Sequence, residues 1–580
     1  MVLRDSLAAL ASFCLDSHFI LSLITLLLPF TCTYAYTWAR FRLSRHHTSS
    51  REPAVLPYWF PGVGHLFSLG FGPEKFLRAL VKRLRGVPAR IPLLGKEIYL
   101  AMPGAQIEKI WRSSRDLVPT PSLFDALHVF FGLQERDFRV FDHEHISNFE
   151  ECAGYRTNHP DTSRRVMEHQ RKDFVRFLQG QNLRSVVERF TNSLVSELSP
   201  AAGISHDWVI VVDLFDFMAN RILRANVEAL YGENILKVCP TFCEDFWAFY
   251  RAFPAVSRGL PKWLVPSSYK ARDKMRDNFH EWRVWCHRNF DWSDERLYDA
   301  EYEPIWGSQY VRRMVIKHED LGFTDDGVAT VLLGYFFVTV ANTIPAAMWM
   351  MMHVLLDQEL LRRVQEEIST AFLLDTSRPS LPELESAPLF NSAYCETLRL
   401  RVASAVGRTS LHDKFRLAGD WKVKIGVPIM FAGWLGGLDE TFWNTGRRLP
   451  GGGPEHPVDS FWADRFLEYP DDSTSGPVRT RRRTNMNPQT AKNQGQAKVN
   501  LAGVQGHWFP FGGGASRCPG EALAKRVILT SVAMVVRNLD VKFVDPAEAA
   551  KTTSKHRTLP FGSHTFDRPV PVWVRRQQCV

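Results

Sequence analysis

The sequence lacks the cysteine pattern of a disulfide-bonded or zinc-binding protein. Its nine cysteines are scattered over 580 residues, and no two of them form a C-x-x-C pair. A disulfide scaffold needs paired cysteines, and a structural zinc site needs clustered ligands. The pattern therefore argues against both classes and indicates a reducing compartment for the main body of the protein.

Motifs for nucleic-acid binding are also missing, although Lys and Arg (71) outnumber Asp and Glu (62) and the formal net charge is +9. A positive excess without such a motif does not predict a nucleic-acid partner. It fits a cytosolic body beside an anionic membrane leaflet that docks an acidic partner protein. It fits equally well an excess that only aids solubility, and both interpretations stay open.

Charged residues are absent from positions 19–38, which are mostly apolar and end in an aromatic group. About 20 apolar residues suffice to span a bilayer as a helix. Arg40, Arg42 and Arg45 follow at once, so the positive-inside rule predicts a cytoplasmic body. We therefore expect a single N-terminal membrane anchor at residues 1–45, with a cleaved signal peptide as the alternative.

The rest of the chain divides by composition. Residues 46–65 are rich in Pro and Gly and predict a linker without regular structure. Residues 66–580 form one large body that is mainly α-helical with small β-sheets. Within it, residues 469–505 are polar and predict a flexible insertion. No tandem repeat is visible.

Apolar residues at helical spacing predict one helix over 164–190 and another over 355–372, the latter with Glu366 and Glu367 on a polar face. Short strands are expected near 90–101 and 423–431. An aromatic segment broken by prolines, residues 246–266, is interpreted either as core or as a loop that dips into a membrane surface.

One cysteine stands in unusual surroundings near the C-terminus. Cys518 ends a glycine-dense loop that begins at Phe511 and contains Gly514, and Gly520 follows just before an apolar stretch. Glycine lets the main chain approach a flat ligand closely. Free N–H groups at the start of a helix stabilise a thiolate. Taken alone, a lone cysteine is more often a buried structural residue.

The spacing F-x-x-G-x-x-x-C-x-G resembles the haem loop of the cytochrome P450 family. The resemblance implies the mainly α cytochrome P450 fold and haem b with the thiolate of Cys518 as the axial ligand of the iron. It also implies that Phe511, Gly514 and Gly520 contact the cofactor. The metal ligand expected from this chain is Cys518.

A second motif lies about 120 residues before that cysteine. Glu396 and Arg399 are three residues apart and share one helix face. Taken alone, this is an ordinary exposed ion pair. It resembles the E-x-x-R motif of the same family, in which the pair is buried and joined by a later arginine. Arg465 matches that third member, although Ala463 stands where the family usually has proline. The implied role of this network is to brace the haem loop.

A third motif interrupts an apolar helix that starts near Val328. Asn342 and Thr343 are polar, and Pro345 removes a main-chain donor and predicts a kink. Taken alone, the threonine bonds back to its own helix and the asparagine reaches a neighbour. The segment resembles the oxygen-activation helix of the family, where an acid and a threonine deliver protons. Asn342 replaces the acid and cannot ionise, so Thr343 is the expected donor and Asn342 an organiser of water or substrate.

The string Ala-Asn-Thr-x-Pro-Ala looks like the subgroup that contains the sterol 7α- and 12α-hydroxylases and prostacyclin synthase. Buried haem propionates need cationic partners. By its place in the family, Arg408 is the better candidate, and Arg517 beside the cysteine is a second one. Further candidates are Arg164, Arg165 and His169.

The resemblance implies a haem-thiolate monooxygenase that oxidises a lipophilic polycyclic substrate, terpenoid or steroid-like, with O2. Electrons are expected from NADPH through NADPH-cytochrome P450 reductase, with cytochrome b5 as a second partner. The expected location is the endoplasmic reticulum membrane, single-pass, with a cytoplasmic catalytic domain. The divergent sequence looks like a fungal specialised-metabolism enzyme. The alternatives are a haem-thiolate isomerase or dehydratase that needs no external electrons, and a non-enzymatic haem protein.

Overall fold

The structure is a computed structural model of the chain. It describes residues 22, 24–44, 51–114, 116–118, 127–141, 165–373, 377–410, 412–479, 497–554 and 561–577.

Helices make up most of the described residues, as the sequence predicts. Besides short 3-10 turns and a π-helical turn at Leu127–Phe131, they are α1 (24–44), α2 (Leu66–Phe71), α3 (Pro73–Leu84), α4 (Ala105–Arg112), α5 (Glu135–Phe141), α6 (Val166–Phe177), α7 (Gly180–Glu197), α8 (Leu214–Tyr231), α9 (Asn234–Val238), α10 (Phe242–Ser257), α11 (Pro266–Asn289), α12 (Glu295–Asp299), α13 (Gln309–Asp320), α14 (Asp325–Val340), α15 (Thr343–Leu356), α16 (Gln358–Ile368), α17 (Leu381–Ser386), α18 (Pro388–Arg401), α19 (Gly433–Gly437), α20 (Glu521–Asn538) and α21 (Pro546–Ala550).

The strands are short and form small sheets. They are β1 (Ala54–Val55), β2 (Ala89–Leu93), β3 (Lys96–Leu100), β4 (Leu117–Val118), β5 (Val209–Val211), β6 (Tyr302–Glu303), β7 (Gly307–Ser308), β8 (Val402–Ser410), β9 (Arg416–Leu417), β10 (Trp421–Lys422), β11 (Pro428–Ala432), β12 (Leu467–Glu468), β13 (Lys498–Val499), β14 (Leu539–Phe543), β15 (Phe561–Ser563) and β16 (Val572–Arg576). The largest sheet runs β1-β2-β3-β11-β8-β15, with β4 also paired to β8.

Helices α14 and α15 run through the centre of the molecule. Their side chains are apolar on almost every side, which is the pattern of a helix enclosed by protein. Within the described residues, Asp325–Leu356 is the one helical stretch with the length and hydropathy that membrane crossing requires, and 83% of its apolar window is buried inside the protein. Neighbouring helices α8, α18 and α20 pack against α15. The central helix therefore brings distant parts of the chain together.

The central helix is interrupted at residues 341–342, where the predicted kink lies. Pro345 has no N–H to give to the carbonyl of Ala341, four residues earlier. The next donor, the N–H of Ala346, reaches Asn342 O at 3.2 Å. The break thus has a local cause in the sequence, and it places Asn342 between two helical segments.

The predicted linker needs a correction. Residues 54–55 form β1, which pairs in parallel with β2, and Leu56 is buried. Prolines at 53 and 57 flank the strand but leave its own donors in place, and a Pro is tolerated at a sheet edge. The second half of the predicted anchor is helical and carries exposed apolar side chains, such as Leu26 at 65% exposure. Residues 1–21 lie outside the described residues.

Three helix and strand predictions also change in detail. The helix expected over 164–190 is two helices, α6 and α7, which meet at Gly180 with φ +59°. Glu366 is exposed as predicted, whereas the carboxylate of Glu367 points into the protein and accepts the N–H groups of Leu389 and Phe390 at the start of α18. Of the later strand region, 428–432 is a strand, whereas 423–425 is not.

The predicted insertion at 469–505 is described only at its two ends. Strand β12 directly precedes it and pairs with β13, which lies within its second end, Leu467 opposite Val499. The N–H of Arg479 also bonds Phe442 O at 2.8 Å. Residues 480–496, with the arginine run, lie outside the described residues, so the predicted flexibility stays a prediction.

Candidate functional site

The loop before α20 takes a tight glycine-dependent path. Gly512 and Gly514 have φ values of +69° and +63°, which favour glycine over any residue with a Cβ. The N–H of Gly512 bonds Phe509 O, and the N–H of Cys518 bonds Phe511 O, both at 2.9 Å. The main chain is therefore closed on itself on both sides of the glycine run, and Cys518 is held at the end of the turn.

A tryptophan and a serine from the α4 region support the loop from below. A Cβ on Gly513 would lie 2.6 Å from the Trp111 ring, and a Cβ on Gly514 would lie 2.3 Å from Ser114 Oγ. That Ser114 hydroxyl also accepts the N–H of Ala515 at 3.0 Å. The glycines are thus needed for packing as well as for the turn.

Cys518 is exposed on the open side of the loop. The protein around the thiol removes part of its hydration, which raises the pKa of Cys518. The nearby main-chain N–H groups of Gly520 and Glu521 act in the opposite direction and lower that pKa. A metal ion deprotonates a coordinating thiol outright, and these two donors then stabilise the thiolate.

Arg408 lies on β8 beside the same loop. Its guanidinium is buried, donates to Gly407 O at 2.8 Å and stands 5.4 Å from the Trp111 ring centroid. The indole Nε1 of Trp111 is buried and has no hydrogen-bond partner in the described part of the chain. A buried N–H of this kind needs an acceptor, so this corner suits an anionic group.

The second predicted cationic partner is placed differently. Arg517 is exposed and donates to the carboxylate of Glu521 at 2.5 and 2.6 Å. Its predicted contact with the cofactor stays a prediction. Arg165 precedes α6, and His169 lines a small cavity with Asp173. Arg164 lies outside the described residues.

The structure brings the three residues of the predicted network together. Arg399 donates to both carboxylate oxygens of Glu396, at 2.7 and 2.8 Å, and Arg465 Nε donates to one of them at 2.9 Å. All three side chains are fully buried. Burial raises the pKa of Glu396, but the two guanidinium groups outweigh burial and leave it below its ordinary value.

The network reaches the Cys518 loop through two glycines. Arg399 donates to Gly437 O and to Val458 O. A Cβ on the adjacent Gly436 would lie 2.5 Å from His507 O, just before the loop. This contact path supports the predicted bracing role of the network, which stays a prediction.

Asn342 and Thr343 both have hydrogen-bond partners within the protein. Thr343 Oγ1 donates to Thr339 O at 2.9 Å, and Asn342 Oδ1 accepts the N–H of Ser563 at 3.1 Å. These are the local contacts that the sequence left open as the alternative to a catalytic role. Proton delivery by Thr343 therefore stays a prediction.

One face of the central helix borders open space. Val338 is 47% exposed, although the helix around it is buried. Thr339 and Asn342 on the same face are also partly accessible, whereas Ala341 and Thr343 are buried. Residues four apart lie on one side of a helix, so the opening follows the side that carries Val338 and Asn342.

The residues present fit a haem. Cys518 offers an exposed thiol at the end of the turn, and its thiolate would be a ligand that haem iron takes. The close packing of Gly513 against Trp111 keeps the loop flat. Arg408 and the unpaired indole N–H of Trp111 suit the negative propionates. Phe511, Gly514 and Gly520 belong to this loop, and their predicted contacts with the cofactor stay predictions.

Sequence reasoning missed four residues of this region. Trp111 and Ser114 pack under the glycines, and Gly562 and Ser563 contact Asn342. The three consecutive glycines signal a close approach of another segment, but they do not reveal which segment. The contact with residue 563 spans 221 positions and leaves no local pattern.

Comparison with known proteins assigns the chain to a protein family. The family model described as Cytochrome P450 matches residues 136–447, more than half of the chain. Cytochrome P450 monooxygenase fsoE of Humicola fuscoatra is 29% identical over 96% of this chain and 95% of its own length. Cytochrome P450 monooxygenase efuG of Hormonema carpetanum is also 29% identical, over 97% of both chains. Cytochrome P450 7A1 of Rattus norvegicus is 24% identical over 85% of this chain and 88% of its own.

Proposed function

The chain belongs to the cytochrome P450 family and is a cytochrome P450 monooxygenase, and we propose that it oxidises a lipophilic polycyclic molecule of terpenoid or steroid-like type. The observation that carries this proposal is the Cys518 loop, in which glycines at positive φ close the main chain on itself and hold an exposed thiol at the end of the turn. Haem b bound to that thiolate supplies the activation of O2.

The residues of this chain hold and orient the reactants. Cys518 holds the cofactor, and the Glu396 network keeps its loop in place. Arg408 neutralises a propionate. Thr343 is proposed as the proton donor, after its hydroxyl turns from Thr339 O, and Asn342 as the group that fixes water or substrate.

A lipophilic substrate is supported by aromatic rings that pack around the central helix. Phe337 on α14 stacks on Phe253 with ring centroids 4.3 Å apart and meets Phe131 at 5.6 Å. These buried rings make the interior beside the open side of α14 apolar, which suits a ligand with few polar groups. The proposal that the substrate is polycyclic rests on the name of one relative. Cholesterol 7-alpha-monooxygenase of Cricetulus griseus is 22% identical over 88% of this chain. A role in fungal specialised metabolism is part of the same proposal, and the fungal relatives are named as cytochrome P450 monooxygenases without a substrate.

We also propose that the enzyme is a single-pass protein of the endoplasmic reticulum membrane with a cytoplasmic catalytic domain. Two large aromatic side chains, Phe71 and Trp263, lie on the surface and are each 81% exposed. Their segments are joined, because Arg258 donates to Gly70 O at 3.1 Å. Phe30 of α1 contacts Phe60 with ring centroids 5.2 Å apart, and Phe60 contacts Phe67 of α2 at 5.4 Å, so the N-terminal helix lies beside the helix that ends at Phe71. Exposed apolar surface of this kind favours a lipid contact.

The electron donor is proposed to be NADPH-cytochrome P450 reductase, with cytochrome b5 as a second partner. The test uses microsomes that contain the protein and the reductase, incubated with an extract of polycyclic metabolites and analysed by mass spectrometry. We expect a product that carries one added oxygen atom and needs both NADPH and O2.

A haem-thiolate isomerase or dehydratase is the second candidate. It is favoured by one observation: the position beside Thr343 holds an amide, Asn342, that cannot ionise, and its oxygen is bonded to Ser563. Product formation without NADPH or reductase would favour this candidate and contradict the monooxygenase. Binding of haem without any conversion would favour a haem-binding protein instead.

A further inference from the structure

The break in the central helix is tied to a strand near the C-terminus. Asn342 Oδ1 accepts the main-chain N–H of Ser563, at the end of β15, at 3.1 Å. This contact joins the residue that replaces the usual acid to a segment far away in the sequence. The residues around the contact determine how the amide of Asn342 is oriented.

Gly562 leaves no room for a side chain at this contact. A Cβ built on Gly562 would lie 1.8 Å from Asn342 Oδ1, 2.5 Å from its Cγ and 3.0 Å from its Nδ2. The methyl group of an alanine would therefore occupy the space of the carboxamide itself. The φ of Gly562 is +120°, which side-chain-bearing residues rarely adopt. Glycine at 562 and the observed position of the Asn342 amide require each other.

The strand does not depend on Asn342 for its own position. Strand β15 pairs with β8, with Gly562 opposite Ala403. The next residue is also anchored, because Trp349 Nε1 donates to His564 O at 2.9 Å. The strand is thus a fixed surface, and the amide of Asn342 is oriented by it rather than the reverse.

The orientation leaves one end of the amide for a ligand. The oxygen of Asn342 is bonded to Ser563, and its Nδ2 donates no hydrogen bond to any residue of the described chain. Asn342 is partly accessible, on the same helix face as the exposed Val338, while Ala341 and Thr343 are buried. An unpaired N–H donor therefore remains on the side of the helix that borders open space.

We propose that Gly562 and the main-chain N–H of Ser563 are positioning elements that hold the amide of Asn342 with its N–H2 group toward the ligand-binding side of the haem. The amide then acts as a fixed hydrogen-bond donor to an oxygen atom bound there, in place of a carboxyl group that could ionise. This rests on the proposed function, because it assumes a haem bound through Cys518.

The test uses carbon monoxide as the ligand of the reduced haem in the full-length protein, so no substrate is needed. A hydrogen-bond donor near bound carbon monoxide lowers its C–O stretching frequency, because positive charge at the oxygen favours back-donation into the C–O bond. Infrared spectra are recorded for the wild type, Asn342→Ala and Gly562→Ala. Gly452→Ala is the matched control, since Gly452 also has a positive φ, +86°, but has open space at its Cβ.

We expect the C–O band to move to higher frequency in Asn342→Ala and in Gly562→Ala, and to stay in place in Gly452→Ala. An unchanged band in Asn342→Ala would overturn the proposal, and so would a shift in Asn342→Ala without one in Gly562→Ala. If Gly562→Ala fails to bind haem, Asn342→Ala together with Asn342→Gln, which displaces the same donor, decides the question. A wild type without any thiolate-type carbon monoxide band would contradict the proposed function instead.

Discussion

At the scale of single residues, one buried carboxylate is paired with two buried guanidinium groups. Glu396 accepts hydrogen bonds from Arg399 and Arg465, and all three side chains are inaccessible to solvent. Charges of this kind offset their desolvation only as a complete set. Loss of Glu396 leaves two guanidinium groups in the interior without a counter-charge, which is far more costly than loss of an exposed ion pair.

The substitution Glu396→Gln should therefore lower the free energy of unfolding by about 3–5 kcal/mol at neutral pH, measured by urea denaturation. The pKa of Glu396 is lowered from 4.5 in the folded state. Its contribution is thus complete above pH 4.5 and is lost as the pH falls through the folded value. The gap between wild type and variant should narrow in acid, and a gap that does not change with pH would contradict this. Glu548→Gln, at an exposed ion pair, is the control without an effect.

A second prediction concerns the packing under the haem loop. Gly513→Ala places a methyl group 2.6 Å from the ring of Trp111, and overpacking of this kind costs about 1–3 kcal/mol. We expect a lower thermal midpoint and less haem per protein molecule. Gly451→Ala, at a glycine with open space around its Cβ, should change neither. Full haem content in Gly513→Ala would show that the loop does not need this contact.

The residues that the sequence predicts best are those with a fixed local spacing. Cys518 and the pair Glu396 and Arg399 are recognised because each motif spans few residues. Trp111 is not, since its contact with Gly513 joins segments about four hundred positions apart and an indole ring has many possible neighbours. Residues whose motif spans a single turn can therefore be predicted from the sequence, whereas the residues of distant segments that pack against them cannot.

At the scale of elements, the sequence predicts the central helix but not the segments that pack against it. Its apolar run and Pro345 account for α14, α15 and the break between them. Its contact with the C-terminal segment, where Trp349 donates to His564 O, depends on tertiary packing. The helix expected over 164–190 divides between Phe177 and Gly180 for a local reason, because Gln179 is extended and Gly180, the first residue of α7, has a positive φ.

Trp349→Phe tests this contact between elements. Phenylalanine keeps an aromatic side chain but has no N–H, so the buried carbonyl of His564 loses its donor, which costs about 1–3 kcal/mol. The smaller ring also leaves a void at this buried site, which adds to the loss. We expect a lower urea midpoint with an unchanged denaturant slope. Trp573→Phe, at a 40% exposed ring on β16, is the matched control. Equal stability of the two variants would show that this hydrogen bond does not hold the strand.

At the scale of the whole molecule, the net charge influences which electron-donating protein can bind. The net charge of +9 favours an acidic protein as electron donor, and attraction between exposed charges is screened by salt. We expect the reductase concentration at half-maximal NADPH oxidation to rise as sodium chloride is added. A value that does not change with salt would indicate that the positive excess serves solubility alone.

The central claim is that Cys518 binds haem iron as a thiolate, and the carbon monoxide difference spectrum of the reduced protein tests it most directly. Wild type should give the thiolate-type Soret band, and Cys518→Ala should lose that band, whether or not it retains haem in another form. The same thiolate-type band in both proteins would contradict the account.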